Sequence, residues 1–266
     1  NPNNYIENVV ISNNWDFPNI NKESNIDIIT WNCEFFPTAN DSTIDALSEA
    51  ITDLSADIIA FQEIKNRGWF GKLMNLLPEY NYIISQQSSF MDQAIIYKKN
   101  DFSLINRLEI FSENDYNFAG RPPLKADFIY KDNLKFSVIN LHMKCCDSGL
   151  NRRKNASQML YDYISNEIDS GYSNFIVLGD WNGWIPDYNN GRSNSHGAHI
   201  ETFAAEHDLT IQPIEKWERT RFDHRGNGST VDYILTKNVS TTKIEIASDI
   251  QGTDHRPLST ELKHSK

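Results

Sequence analysis

The sequence is poor in cysteine, lacks long apolar runs and has no surplus of positive charge. Its three cysteines, Cys33, Cys145 and Cys146, form no Cys-x-x-Cys pair, so no thiolate spacing points to zinc. They read either as small buried hydrophobes or as a disulfide joining Cys33 to one of the adjacent pair in an exported protein. Apolar runs such as Phe175-Ile176-Val177-Leu178 are strand-sized, far below the roughly 18 residues of a membrane span, so no stable membrane insertion is expected. No signal peptide is visible, and a first residue of Asn1 fits a processed or truncated N-terminus. The Gly-x-Gly-x-x-Gly fingerprint of a dinucleotide-binding sheet is missing. The formal charge is -11, which argues against a protein that grips nucleic acid tightly by charge alone. It does not argue against a nuclease, because a divalent cation neutralises carboxylates locally.

With 266 residues, 39% hydrophobic and 23% charged, the chain has the composition of a globular protein with one large core or two smaller ones. Residues 1–24 are rich in Asn, Pro and Ser and read as an irregular arm with a short strand at Val9-Val10-Ile11. Residues 25–266 read as one domain. Ile26 to Asn32 and Ile58 to Phe61 read as strands. Thr43 to Leu54 places Ile44, Leu47, Ile51 and Leu54 on one helical stripe, and Trp69 to Leu77 is a second helix stopped by Pro78. Strands follow at Tyr82–Ile84, Gln93–Tyr97 and Phe102–Ile105, then a hairpin of Leu124–Tyr130 and Leu134–His142 about Lys131-Asp132-Asn133. Arg152 to Ile168 is a helix with Ala156, Met159, Leu160, Tyr163 and Ile164 on its apolar face. Strands at Phe175–Leu178, Val231–Thr236, Ile244–Ala247 and Leu258–Leu262 and a helix at Ile200–His207 complete the reading. Residues 183–197 are an Asn- and Gly-rich surface loop. Strand–helix alternation combined with hairpins predicts an α/β (α+β) fold of two packed mixed sheets flanked by helices.

Polar groups cluster where these strands should stop. Glu63 ends a hydrophobic strand, Asp180 and Asn182 follow another, His142 ends a third, and Asp254-His255 precede the last. Buried polar groups are costly unless paired or used. Glu63, Asp180, Asn182 and Asp254, with the Asn32 amide, offer the oxygen ligands that Mg²⁺ prefers. In extended chain Asp180 and Asn182 face the same way. His142 and His255 are suited to positioning or deprotonating water, or to stabilising a phosphoryl oxyanion. Asp232, within Val-Asp-Tyr-Ile-Leu, is a candidate to orient one histidine, and Arg121 presents a planar fork to a phosphate oxygen. Taken one at a time, each has a plainer reading: a loop cap for Asp180 or Asn182, a satisfied core histidine for His142, a surface ion pair for Arg121.

Six motifs occur in order: Trp31-Asn32, Gln62-Glu63, Asn140-Leu141-His142, Gly179-Asp180-Trp181-Asn182, Val231-Asp232-Tyr233-Ile234-Leu235 and Thr253-Asp254-His255-Arg256-Pro257. From about Ile26 to Leu262 the chain resembles the endonuclease/exonuclease/phosphatase (DNase I-like) superfamily. It looks closest to bacterial, exported members with a Trp-Asn-x-Glu-Phe-Phe-Pro opening and a His-Leu-Lys-Cys-Cys-like stretch, here His142-Met143-Lys144-Cys145-Cys146. The resemblance implies a four-layer sandwich and a monomeric, metal-dependent phosphodiester hydrolase, secreted, periplasmic or at the cell surface. It implies that Asn32 and Glu63 hold Mg²⁺ (or Mn²⁺ or Ca²⁺), assisted by Asp254. It assigns Asp180 and Asn182 to the attacking water, and His255, backed by Asp232, to the water or phosphate. His142 is the second histidine, against the abasic-site branch, which carries Asn there. Arg121, Lys144, Arg152 and Arg153 would meet substrate phosphate, although a solvated helix N-terminus explains the last three as well. The expected substrate is DNA, cut endonucleolytically without sequence preference to 5′-phosphate and 3′-hydroxyl ends. The alternatives are a sphingomyelinase-like or inositol-phosphate phosphoesterase, for which Trp69-Phe70 and Trp184-Ile185 are candidate exposed apolar loops, and a binding domain without catalysis.

Overall fold

The computed structural model describes residues 17–21, 25–131, 133–171, 174–186, 189, 191, 195–212, 219–238, 241–246 and 253–263. The strand expected at Val9–Ile11 lies outside them. The strands are β1 (Asn25–Phe36), β2 (Ile58–Ile64), β3 (Tyr80–Ile84), β4 (Asp92–Lys98), β5 (Phe102–Glu109), β6 (Leu124–Tyr130), β7 (Leu134–His142), β8 (Phe175–Asp180), β9 (Thr210–Ile211), β10 (Arg221–Phe222), β11 (Gly228–Ser229), β12 (Asp232–Lys237), β13 (Thr241–Ile246) and β14 (Leu258–Lys263). The α-helices are α1 (Asp41–Leu54), α2 (Arg67–Asn75), α3 (Leu150–Asp169) and α4 (Ser195–Glu206).

Two six-stranded sheets carry the fold, in the orders β13-β14-β1-β2-β4-β3 and β5-β6-β7-β8-β12-β9. Each is mixed. β1 runs parallel to β2 and β7 parallel to β8, because α1 and α3 supply the crossovers that parallel neighbours require. The remaining neighbours in each sheet are antiparallel.

The alternation of side chains along a strand sorts the core into layers. Ile28, Ile58, Ala60 and Ile95 point from the first sheet towards Val138, Ile176 and Leu178 of the second, the face that also carries Asn140. Their neighbours Ile29, Trp31, Ile59, Phe61 and Ile96 point the other way, onto α1 and α2. The stripe Ile44, Leu47, Ile51 and Leu54 of α1 is buried there; each such side chain contributes roughly 1.5–3 kcal/mol by leaving water. On the far side, Ala156, Leu160 and Ile164 of α3 and Ile200 and Phe203 of α4 join the core of the second sheet. The order is helices, sheet, sheet, helices, as expected for a four-layer sandwich.

One polar bridge crosses between the sheets. Gln62 of β2 donates to Asn140 Oδ1 of β7 at 2.7 Å and to Thr30 Oγ1 at 3.0 Å, while Asn140 Nδ2 donates to the carbonyls of Phe61 (2.9 Å) and Ala94 (3.1 Å). All of it is buried. Hydrogen bonds in a low-dielectric core are directional in a way that apolar packing is not, so they fix the register of β2 against β7, with Gln62 Oε1 left without a partner. The next residues along those strands in the motif sequence are Glu63 and, one further on, His142.

Candidate active site

The central strands β1, β2, β7 and β8 pack across the sandwich, and each delivers a polar side chain at its C-terminal end. In the ladders His142 pairs with Asp180, and Asp180 pairs with Asp232 of β12. Neighbours in a sheet are about 4.8 Å apart, so three motif residues become adjacent through register alone. Gly179 makes the approach possible. Its φ is +138°, and a Cβ there would sit 1.9 Å from the Leu141 carbonyl oxygen.

The ladders break beside the site. Register shifts occur between Asn32 and Phe36 in β1 and between Phe61 and Ile64 opposite β4. Within these bulges Glu34, Phe35 and Glu63 adopt φ of 38°, 53° and 62°. Left-handed backbone is costly for a residue with a Cβ, and bulges are a common way to re-aim a side chain beside a site. Asn182 also has φ 49°. Extended geometry is therefore not what relates Asp180 to Asn182: β8 ends at Asp180, and the Asn182 backbone N–H turns back to donate to Asp180 Oδ1 at 2.9 Å.

The side chains converge. Asn32 Nδ2 donates to both Glu63 Oε1 (3.0 Å) and Asp180 Oδ2 (3.1 Å), and its Oδ1 accepts the Glu34 N–H at 3.0 Å. The amide thus ties the two carboxylates together with its nitrogen. His142 Nε2 lies 3.5 Å from Asp180 Oδ2 and 3.7 Å from Glu63 Oε1. His255 Nδ1 is 2.9 Å from Asp232 Oδ2, and its Nε2 is 3.7 Å from Asp180 Oδ2. Ligating atoms of Glu63, His142 and Asp180, and separately of Asp180, Asp232 and His255, lie within 4.8 Å of one another. Asp254 is held differently: both Nε and Nη2 of Arg221 reach its Oδ2 at 2.9 Å, and its N–H donates to Glu34 Oε2 at 2.9 Å.

Burial and crowding set the protonation states. Burial, with Asp232 adding, raises the Asp180 carboxyl to about 7. Burial lowers His255, but Asp232, Asp180 and Asp254 override it and lift the imidazole to about 10. His142 is held well below its usual value by burial and by the positive Arg121, His255 and Lys144. The site thus pairs a charged imidazole with a neutral one, on either side of a carboxylate poised near neutrality.

These groups open onto a cavity of about 370 Å³ whose walls include Glu34, Phe35, Trp184, Arg153 and Arg221. Of the four expected phosphate contacts, Arg153 lines it. Arg121 is buried behind the wall with Nη2 donating to the Met143 carbonyl at 2.9 Å. Lys144 Nζ folds onto Cys145, 3.5 Å from its sulfur. Arg152 donates to the Tyr116 carbonyl and lies over its ring at 4.3 Å. Arg221 and Glu34 face the cavity without having stood out in the sequence; Arg221 reaches it because its backbone bridges to His255. Of the two candidate apolar loops, Phe70 and Ile185 are buried, whereas Trp184 is exposed at the cavity wall. All three cysteines are free thiols, and Cys33 is buried with its sulfur 3.8 Å from the Trp31 carbonyl.

The residues suit a hard divalent cation. Glu63 and Asp180 place two carboxylates in contact with one amide, and no lysine or arginine ion pair to either is found among the described residues. Such a pair of acids needs either a cation or a proton. Oxygen-rich donors favour Mg²⁺ or Mn²⁺.

Comparison with known proteins agrees with this geometry. The sequence pattern of the Endonuclease/Exonuclease/phosphatase family matches residues 29–255. No curated protein matches the chain. Among solved structures, a Danio rerio TDP2 complexed with a single-strand DNA product superposes with a TM-score of 0.73 at 14% identity, over 91% of this chain and 100% of that one. The human Nocturnin catalytic domain with bound sulfate gives 0.69 at 15% identity, over 92% and 97%. A mannosyl-6-phosphatase from Bacteroides thetaiotaomicron gives 0.66 at 14%, over 89% and 99%. At these identities the likeness is one of fold.

Proposed function

Because the chain belongs to the endonuclease/exonuclease/phosphatase family, we propose that it is a divalent-metal-dependent phosphodiester hydrolase, acting as a DNA endonuclease that leaves 5′-phosphate ends. The observation that carries this reading is the convergence of Glu63, His142, Asp180 and His255–Asp232 on one cavity wall. The similar fold of a DNA-processing TDP2 supports DNA as substrate; that of a mannosyl-6-phosphatase keeps small phosphate esters as the competing class.

The residues divide the work by their charge and reach. A divalent cation held by Glu63 and Asp180, when bound, supplies Lewis acidity to a phosphoryl oxygen. Asn32 fixes the spacing of those carboxylates. Asp180, with the Asn182 turn closing on it, is placed to orient the attacking water and take its proton. His255 keeps its Nδ1 proton on Asp232 and turns a charged Nε2–H to the cavity, where it stabilises the pentavalent oxyanion. His142 stays neutral and donates from Nε2 as charge develops. Arg221 meets the flanking backbone electrostatically, without reading sequence, and Arg153 adds positive charge from within the wall. Asp254 keeps Arg221 in place.

The test is a substrate panel. Purified protein is incubated with supercoiled plasmid, linear duplex, RNA, sphingomyelin and mannose 6-phosphate, each with Mg²⁺, Mn²⁺ or Ca²⁺. The expected result is metal-dependent nicking of plasmid with ligatable 5′-phosphate ends. Release of phosphocholine or inorganic phosphate with no nicking would replace the nuclease reading.

A further inference from the structure

Two adjacent cysteines, Cys145 and Cys146, form part of the cavity wall, in the loop between β7 and α3. Successive side chains of an extended segment point apart. Here left-handed backbone at Cys146, φ 68°, folds both onto one side, and their sulfurs are in contact. Both are free thiols, one partly and one well exposed. Cys33, the remaining cysteine, is packed between the first sheet and its helices and is out of play. A proton shared with Cys145, then burial, raises the Cys146 thiol. Lys144 Nζ sits beside the other sulfur, at 3.5 Å.

The loop is also where three cationic or amide side chains are anchored. The Met143 carbonyl accepts from Arg121 Nη2 (2.9 Å) and Asn182 Nδ2 (3.1 Å). The Lys144 and Cys146 carbonyls both accept from Arg153 Nη1, at 2.5 and 2.8 Å. Arg153 is almost wholly buried and is the cavity's basic group on that wall.

We propose that Cys145 and Cys146 are a modification site: a vicinal dithiol that closes to an intramolecular disulfide on meeting a small-molecule disulfide, and that slows hydrolysis when closed. Cys145 Sγ, as thiolate, attacks one sulfur of the small disulfide; the S–S bond breaks and the leaving thiolate takes up a proton. Cys146 Sγ then attacks the Cys145 sulfur of the mixed disulfide and expels the second small thiol, which carries the Cys146 proton away. Two protein thiols are oxidised and one small disulfide is reduced to two thiols. The new ring contains the Cys145–Cys146 peptide, and so small a ring twists that peptide away from its preferred planar geometry. The Lys144 and Cys146 carbonyls, on the two peptides that flank the ring, shift with its Cα atoms and turn off Arg153, and the guanidinium loses its position in the cavity. Slowing rests on the phosphodiesterase reading; ring closure does not.

The experiment incubates the purified full chain with oxidised glutathione, blocks remaining thiols with N-ethylmaleimide and maps tryptic peptides by mass. Residues 145–152 fall in one peptide between Lys144 and Arg152. The expected peptide lacks two hydrogens and carries neither glutathione nor maleimide. Hydrolysis of bis(p-nitrophenyl) phosphate with Mn²⁺ falls about tenfold, the rate equivalent of one charge-assisted hydrogen bond, and dithiothreitol restores it. Cys146→Ser stops at a stable glutathione adduct on Cys145, and neither it nor Cys145→Ser shows the ring. A wild-type peptide that keeps glutathione, or reacts at both thiols with maleimide after oxidation, overturns the site. Ring formation with unchanged hydrolysis overturns the slowing. A chain inactive on every phosphodiester leaves the mass result to decide the site and rejects the functional reading separately.

Discussion

His255 and Asp232 form a buried pair, with Nδ1 2.9 Å from Oδ2 and neither residue more than 4% exposed. The ladder sets Asp232 opposite Asp180, while the bridge to Arg221 and the Thr253 hydroxyl hold His255 against Asp232. Asp232→Asn keeps the shape and removes the charge that holds the imidazolium. Turnover should fall about a thousandfold, in the range of acid–base and orienting contributions, with an unchanged far-ultraviolet circular dichroism spectrum. Activity within a factor of two of wild type on plasmid would remove His255–Asp232 from the chemistry.

Asp180 touches more of the site than any other side chain named here. Asn32 donates to it, Asn182 closes on it, and both histidines approach it. Asp180→Asn, and likewise His255→Ala, should abolish measurable hydrolysis while the far-ultraviolet circular dichroism spectrum stays that of wild type. Near-full activity in either purified variant would contradict the assigned roles.

Stability should depend on pH in a defined direction. In the folded chain His255 holds its proton up to about 10, against about 6.5 for an unperturbed imidazole. The folded state therefore binds more protons than the unfolded one across that window. The stability this contributes is fully present below about 6.5 and is lost as pH rises through about 10. Metal-free wild type should lose urea resistance between pH 7 and pH 9, and His255→Asn should show a flatter profile. Asp180 adds the same sign up to about 7, His142, pushed down by burial, opposes it below 6.5, and the Cys33 thiol, pushed up by burial, adds the same sign at the alkaline end, so the difference between wild type and His255→Asn just above pH 7 reports His255. Equal slopes in both proteins would contradict the assignment.

Gly179→Ala tests how the site is brought together. The added methyl meets the Leu141 carbonyl in the parallel ladder and must also adopt φ +138°. A destabilisation of about 2–4 kcal/mol is expected from overpacking plus backbone strain, read from urea unfolding. A change under about 0.5 kcal/mol, ordinary for a surface position, would mean that β7 and β8 are not so close.

The parts of this molecule that a single strand or helix decides were legible in its sequence. The Lys131-Asp132-Asn133 turn marks the boundaries of β6 and β7 as observed, and the α1 stripe Ile44, Leu47, Ile51 and Leu54 is buried as its spacing requires. The helix expected at Arg152–Ile168 begins two residues earlier and ends one later, because the first turn is extended by Leu150 and Asn151. What the sequence did not reveal depends on bulges and bridges. Asn182 reaches Asp180 through a left-handed turn, not through strand alternation. Arg221 enters the cavity through a lone bridge to His255, and nothing in Thr-Arg-Phe signals it. Arg121, Lys144 and Arg152 look alike as basic residues near a motif, but burial, a neighbouring thiol and an aromatic ring take them away from the cavity.

The most direct measurement is calorimetric titration of Mg²⁺ into metal-free protein and into the double variant Glu63→Gln/Asp180→Asn. Saturable uptake by one site at millimolar concentration in wild type, absent from the variant, is the predicted result. No uptake by wild type, or equal uptake by both proteins, would contradict a cation held between these two carboxylates.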